Sequence, residues 1–260
     1  EFGFPVLIRG KGGVRLTENG RALLPAIREI LNANDHMDQI VANIRGMSFG
    51  RLRIGTFASA SVLWLPKIIE EFSHDYPGIQ IEIIVGGNDS LISQLDESCI
   101  DFAIMSNPPQ GYEWIHLASD RMLVLLPPGH RLVDKDRVTL DEIDDDPFIL
   151  SNEGFDYDVS QIIKGSGITP RLSFSTMENR GIIAMIQHGL GVTVMPEMVL
   201  DSLESNVITK ELAPCEYRHM GIIVKSVHTA SLAAKTFISY AKRIISELGT
   251  YPPIDEELNA

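Results

Sequence analysis

The sequence predicts an α/β protein of two Rossmann-like subdomains joined by crossing strands, preceded by a short basic hairpin and one long helix. Three observations carry this reading. After residue 50, strand and helix patterns alternate through two successive cycles, the mark of a mostly parallel sheet with helices on both faces. Before them, an apolar repeat with alternating spacings of four and three runs from Leu23 to Ile44. Ahead of that repeat, "LIRGKGGVRLTENGRALL" (7–24) holds Arg9, Lys11, Arg15 and Arg21 against a single carboxylate, Glu18.

In the opening segment two extended stretches, "PVLIR" and "VRLT", are joined by Gly10-Lys11-Gly12-Gly13, where glycines permit the positive backbone angles of a tight hairpin. Thr17 is the expected helix N-cap, with Glu18 favourable near the positive helix end. The helix that follows carries a heptad seam of Leu23, Ile27, Ile30, Asn34, Met37, Val41 and Ile44. A sustained seam with one polar member that can set register favours pairing between chains over packing within one. Pro25 predicts a kink, and Gly46 and Gly50 predict a stop and a linker.

The first cycle reads as a strand over 51–57, a helix over 61–76, a strand over 79–86, a helix over 89–98 and a strand over 100–106. "MLVLLPPGH" is a further strand, ended by Pro127-Pro128-Gly129. In the second cycle "TLDEI" is a short helix, "PFILS" a strand, "DVSQIIKGSG" a helix, "RLSFST" a strand, "NRGIIAMIQHG" a helix and "GVTVMP" a strand. "VITKEL" and "MGIIVKS" are strands, and "SLAAKTFISYAKRIISEL" is a final amphipathic helix. The domains expected are a hairpin (1–17), a long helix (18–48), one subdomain (51–126 with 227–249), a second (127–226) and a loose tail (250–260).

Composition narrows the function. The chain has 260 residues and a net charge of -13, with 44% hydrophobic and 22% charged residues, ordinary for a globular protein. No apolar run approaches the roughly 20 residues that span a bilayer, so no membrane partner is expected. The first residues lack the order of a signal peptide, and the absence of an initiator Met reads as a fragment of a longer product. Cys99 and Cys215 form no disulfide framework, which points to a reducing cytoplasm. Residues 1–21 carry four basic and two acidic groups, net +2, leaving 18 basic and 33 acidic groups, net -15, for the rest. Nucleic-acid contact is therefore confined to the N-terminal end.

The chemistry of enzymes is largely missing. There is no G-x-S-x-G elbow, phosphate loop, H-E-x-x-H or paired C-x-x-C, and the glycines of "GLGVTV" follow a helix instead of preceding one. The seven histidines show no metal-ligand spacing, and Asp144-Asp145-Asp146 reads as a solvated helix end. Neither an enzyme, a cofactor nor a bound metal is expected. What remains is a cleft between two α/β units at strand carboxyl ends. The junctions facing it hold Ser59, Ala60 and Ser61, then Ser106, then Ser151 and Asn152, then Thr176 and Met177. Hydroxyls beside unpaired helix N–H groups make an anion seat and favour a small carboxylate, with an uncharged ligand as the alternative. Each serine taken singly reads more readily as a helix cap than as a ligand contact, and it is their convergence on one cleft that favours binding.

Four segments carry a family resemblance. "EFGFPVLIRGKGGVRLTENGRALLP", "LISQLDESCIDFAIM", "VTLDEIDDDPFIL" and "IQHGLGVTVMP" occur in the order and spacing of LysR-type transcriptional regulators, and the chain resembles that family over about residues 1–249. The resemblance implies a winged helix-turn-helix on promoter DNA, a linker helix pairing two chains, and an effector domain of the type 2 periplasmic-binding-protein kind. It implies a homodimer or homotetramer and a small-molecule effector between the subdomains, with Ser59, Ser61, Ser106, Ser151 and Thr176 placed where members contact it. The wing would be the hairpin, with Arg9, Lys11 and Arg15 on DNA phosphates. The family's base-reading helix would lie before Glu1, so weak or no specific DNA binding is expected of this chain alone. The main rival is a solute-binding sensor or transport protein of the same fold, which predicts a signal peptide and no heptad helix. An α/β enzyme is the next, and it needs a nucleophile or metal constellation.

Overall fold

Gly10 and Gly13 face each other across the first turn, and β1 (Leu7–Gly10) pairs antiparallel with β2 (Gly13–Leu16), Ile8 opposite Arg15 and Arg9 opposite Val14. The computed structural model describes residues 2–10, 13–44, 49–107, 110–151, 157–176, 178–203 and 206–251. Successive strand residues point to opposite faces, so this register sets Arg9 and Arg15 on opposite sides of the ribbon, both exposed. Lys11 lies outside the described residues. Thr17 caps the next helix as expected: its Oγ1 accepts the Gly20 N–H at 2.9 Å, and its hydroxyl donates to the Pro5 carbonyl at 2.9 Å.

Helix α1 (Glu18–Ile44) runs uninterrupted through Pro25, where the sequence predicts a kink. One side lies on the body of the protein. Arg28 pairs with Glu97, and Glu29 Oε1 is 3.9 Å from Lys225 Nζ. The seam residues Ile27, Ile30, Met37 and Val41 are exposed, as are Leu31 and Ile40 beside them. Asn34 is exposed too, and Leu23 is half-buried. The Ile44 side chain and residues 45–48 of the expected linker lie outside the described residues.

The body continues as β3 (Gly50–Thr56), α2 (Ala58–Leu63), α3 (Leu65–Asp75), β4 (Ile79–Val85), α4 (Asn88–Asp96), β5 (Phe102–Ser106) and β6 (Glu113–Leu126). Then come β7 (Arg137–Thr139), a 3-10 turn (Asp141–Ile143), β8 (Pro147–Ser151), α5 (Tyr157–Ser166), β9 (Arg171–Thr176) and α6 (Asn179–Gln187). The chain closes with β10 (Thr193–Pro196), α7 (Glu197–Asp201), β11 (Ile208–Ala213), β12 (Tyr217–Val224) and α8 (Leu232–Leu248).

These elements differ from the sequence reading. The helix expected over 61–76 starts at Ala58 and breaks at Trp64, because Pro66 lacks an N–H and its ring crowds the carbonyl four residues back. The strand expected at 122 begins at Glu113, since its polar first half hides an extended stretch. Helix α7 was not expected, and "TLDEI" is split between the end of a strand and a single 3-10 turn.

In the first subdomain β3 pairs parallel with β4 and β5, while β12 runs antiparallel to β5 and to β6. Strand β5 is buried on both faces: Phe102 and Ile104 join one core with Leu52, Phe72 and Phe237, whereas Ala103 and Met105 join another with Leu91 and Leu95. In the second subdomain the far half of β6 pairs antiparallel with β10 and β11, β7 pairs parallel with β11, and β8 and β9 form a small parallel sheet. Alternate residues again divide two cores, Met122, Val124 and Leu126 on one side and Leu123 and Leu125 on the other.

Strand β6 therefore belongs to both sheets. It pairs with β12 as far as Arg121 and with β10 from Met122 onward. By pairing, the sheets part at 121/122 and 216/217, not at the expected 126/127 and 226/227, because a strand that crosses between subdomains carries no break in its apolar pattern. Residue 251 also departs from the loose tail expected over 250–260: Tyr251 is buried, stacks edge-on to Trp64 at 6.5 Å and donates its hydroxyl to Asp201 on α7. Residues 252–260 lie outside the described residues.

At the crossing, β6 bulges against Met220 and Gly221. A Cβ on Gly221 would stand 2.4 Å from the Ile115 carbonyl oxygen and 2.7 Å from the Trp114 ring. Gly221→Ala is expected to cost about 1–3 kcal/mol and lower the melting temperature by roughly 3–10 °C. Thermal unfolding followed by circular dichroism checks this, and an unchanged midpoint contradicts the close packing.

Candidate functional site

Arg218 and Asp120 are opposed residues where β12 and β6 cross. Along β12, Arg218, Met220, Ile222 and Val224 alternate onto one face, so the cation is carried into the interior by the same period that buries its apolar neighbours. Asp120 is fully buried and Arg218 is 6% exposed. The guanidinium Nε donates to Asp120 Oδ2 at 2.8 Å, and Nη2 lies 2.7 Å from the same oxygen. Nη2 also donates to Ser59 Oγ at 3.3 Å, and the guanidinium carbon sits 4.9 Å from the centre of the Phe57 ring. The other Asp120 oxygen accepts the Met198 N–H at the start of α7, at 3.1 Å.

A second carboxylate approaches from the opposite wall. Asp158, in the first turn of α5, accepts from Ser106 Oγ at 2.8 Å and from Asn107 Nδ2 at 2.7 Å, and lies 3.9 Å from Arg218 Nη1. Asn107 has φ +50, a left-handed conformation that asparagine tolerates and that ends β5 sharply. Asn88 donates to the Ser106 carbonyl at 2.9 Å. Burial pushes both carboxyls above the usual aspartate range, and the Arg218 charge opposes that push in each.

Two cavities flank this cluster, and Asp158 lines both. One of about 370 Å³ is walled by Phe57, Ser59, Val62, Arg180 and Arg218 among others. The other, of about 590 Å³, is walled by Asn107, Thr139, Asp141, Gln161, Glu216 and Tyr217 among others. Both fall in the size range of small-molecule sites.

The structure sorts the residues expected from sequence. Ser59 is buried against Arg218, and Ser106 is buried against Asp158, so these two do meet in the cleft. Ala60 is fully buried in the first core, turned away from the cleft by the early start of α2. For the same reason Ser61 lies inside the helix, its hydroxyl donating to the Ala58 carbonyl at 2.6 Å. Neither Ser59 nor Ser61 caps α2, whose N-cap position is Phe57. Thr176 ends β9 and accepts the Glu178 N–H at 3.3 Å. Ser151 ends β8, and Asn152 and Met177 lie outside the described residues.

Sequence reasoning missed Asp120, Asp158, Arg180 and Arg218. The period-two alignment of Arg218 with Met220, Ile222 and Val224 was the available signal. It also missed that His116 and His219 come together, their rings 5.7 Å apart around Ser119. Asp146 pairs with Arg131 at 2.7 Å and His130 at 3.2 Å. Among the described residues, no group of three or more His, Cys, Asp or Glu side chains is arranged to hold a metal. Cys99 and Cys215 are free cysteines, and among the described residues no helix is long and apolar enough to cross a membrane.

Comparison with known proteins gives these elements a context. The family model of the LysR substrate binding domain matches residues 45–245. The HTH-type transcriptional regulator YvbU of Bacillus subtilis is 33% identical over 247 residues, covering 94% of this chain and 85% of the relative. In structure, the chain is similar to the effector binding domain of QuiR in complex with shikimate, with TM-score 0.69 and 20% identity over 77% of this chain and 99% of that one. It is similar also to the Synechocystis CcmR regulatory domain in complex with 2-PG, with TM-score 0.70 and 20% identity over 76% and 98% of the two chains.

Removing the shared cation tests the cluster. Arg218→Met leaves two buried carboxylates without their cation and is expected to cost about 3–5 kcal/mol in urea unfolding. Adding Asp120→Leu is expected to return at least half of that loss. A double variant no more stable than the single one contradicts the pairing.

Proposed function

The chain belongs to the LysR family of transcriptional regulators, and from that premise we propose that its inter-subdomain cleft binds a small organic anion that alters how paired chains present their DNA-binding ends. The observation that carries this reading is the cluster in which Ser106 and Asn107 meet Asp158 and Ser59 meets Arg218, with Asp158 lining cavities of about 370 and 590 Å³ on its two sides. Hydroxyl, amide and guanidinium donors together match a carboxylate, and Arg180 at the cavity wall adds a second cation. Shikimate and 2-PG, held by the regulatory domains of QuiR and CcmR, fit the same chemistry. Among the described residues, neither cavity is lined by a histidine or a cysteine and no metal cluster is found, which supports a binding role over a catalytic one.

The partners of the chain follow from its N-terminal half. Ile27, Ile30, Met37 and Val41 expose one apolar seam along α1, and burying it against a second copy removes that surface from water. We read α1 as the dimerisation helix of a homodimer or homotetramer. Arg9 and Arg15 are exposed on the hairpin, and the reading gives them, with Lys11, contacts to DNA phosphate. Because Arg9 and Arg15 occupy opposite faces, only one of them can meet a given backbone strand through a flat contact. An effector shifts the assembly only by binding one arrangement more tightly than another.

Two measurements test this. In a thermal-shift screen of small organic acids, at least one is expected to raise the melting temperature by about 5 °C at 100 times its Kd. Arg180→Ala is expected to weaken that ligand roughly tenfold, the size of one lost hydrogen bond to a charged group. A screen in which acids never outperform neutral analogues counts against the anion reading. In light scattering, replacing Ile30 and Met37 together by Asp is expected to reduce the oligomer by at least half. An unchanged mass excludes α1 as its principal interface.

A further inference from the structure

The donors of the cleft are already engaged by an anion that the chain itself supplies. Ser106, Asn107 and Arg218 all belong to the first subdomain, and they converge at 2.8, 2.7 and 3.9 Å on the carboxylate of Asp158, which belongs to the second. Both oxygens of that carboxylate are occupied, and the side chain is nearly buried. Two hydrogen-bond donors and a nearby guanidinium on one wall thus form a carboxylate seat, filled from the wall opposite.

Charge makes the seat exclusive. Asp120, Asp158 and Arg218 together hold two carboxylates and one guanidinium, within 4 Å of one another through the arginine. A further anion on the same donors would set three negative charges against one positive in a water-poor interior, where like charges repel strongly. An incoming carboxylate and Asp158 therefore cannot both ionise at this point. The two sides of the cleft also differ in what holds them. Helix α7 is anchored by Met198, fully buried in the first subdomain's core, whereas α5 reaches that subdomain's strand end at Ser106 and Asn107 through the polar contacts of Asp158.

We propose that Asp158 is a resident ligand: it holds the seat formed by Ser106, Asn107 and Arg218, and an effector carboxylate takes that seat only by displacing it. This rests on the cleft being an effector site, and it names the residue that sets effector class and couples entry to movement. The effector must supply a charge equal to the one it removes, so neutral analogues gain nothing there. Its apparent affinity is lowered by whatever free energy the Asp158 contacts contribute, and that same amount is what releases α5 from the first subdomain.

Titration calorimetry with benzoate and shikimate, and with benzamide as a neutral control, tests the proposal on the wild-type chain, Asp158→Ala and Asp158→Asn. The alanine variant keeps the Arg218–Asp120 pair balanced. The asparagine variant keeps size while removing charge, and stands in if the alanine protein does not fold by near-ultraviolet circular dichroism. At least one carboxylate is expected to bind the variants ten times more tightly than wild type, with benzamide unchanged. Amide hydrogen exchange without ligand is expected to quicken at least threefold across α5 while α8 keeps its protection. Equal carboxylate affinities, or unchanged exchange in α5, overturn the resident ligand and leave the cleft reading standing. No carboxylate binding to any of the three proteins overturns the cleft reading itself.

Discussion

The guanidinium of Arg218 is the point on which the molecule turns. It sits where two strands cross between subdomains, and its hydrogen-bonding groups are satisfied from β6, from α2 and, at longer range, from α5. A buried cation of this kind contributes little net stability, because desolvation offsets most of its attraction. Its effect lies in constraint: removing any partner leaves an uncompensated charge, so the surrounding elements are held to one arrangement. Asp120 extends that constraint to α7 through the Met198 N–H.

Around that polar point the apolar interior is divided. Strand β6 feeds Leu117 and Ala118 into the first subdomain's core and Met122 to Leu126 into the two cores of the second. Each subdomain thus has its own close-packed interior, and between them the apolar continuity runs through α7, with Met198 in the first core and Val199 and Leu200 in the second. On the far side the contact is polar and built of hydrogen bonds to Asp158. In the proposed reading, a joint that is apolar on one side and ionic on the other would pivot about the apolar side, because polar contacts can be exchanged for those of a ligand or water at small net cost. Small-molecule binding and relative movement of the subdomains would then fall to the same few residues.

The long helix α1 follows a different logic. Its Ile27, Ile30, Leu31, Met37 and Val41 are exposed, while Arg28 and Glu29 hold the helix to the body by ion pairs. Surface ion pairs contribute little each, so in the proposed reading its position is fixed by a second copy covering the apolar seam. Assembly and the direction in which the basic hairpin points are for this reason linked: the hairpin is joined to the helix by Thr17 and by the close approach of Gly20 to Val6, which leaves no room for a Cβ.

Much of this was legible in the residues themselves. The seam of α1, the Thr17 cap, the strand at Phe102 to Ser106 and the final helix from Leu232 all follow from period and capping, which are local properties. Of the cleft, the junction serines gave the right strand ends, and Ser59 and Ser106 stand there. The neighbouring Ala60 and Ser61 do not, because α2 begins at Ala58 and takes both residues into the helix. What periodicity could not reveal is any feature made by long-range pairing: a strand shared by two sheets, Arg218 meeting Asp120 98 residues away, and Asp158 reaching Ser106 52 residues away. By itself the sequence determined most of the elements, the two-unit architecture and the basic end, since each is written in neighbouring residues. Only the tertiary structure decided which charges share the cleft, because the crossing of β6 and β12 brings them together and burial obliges them to pair.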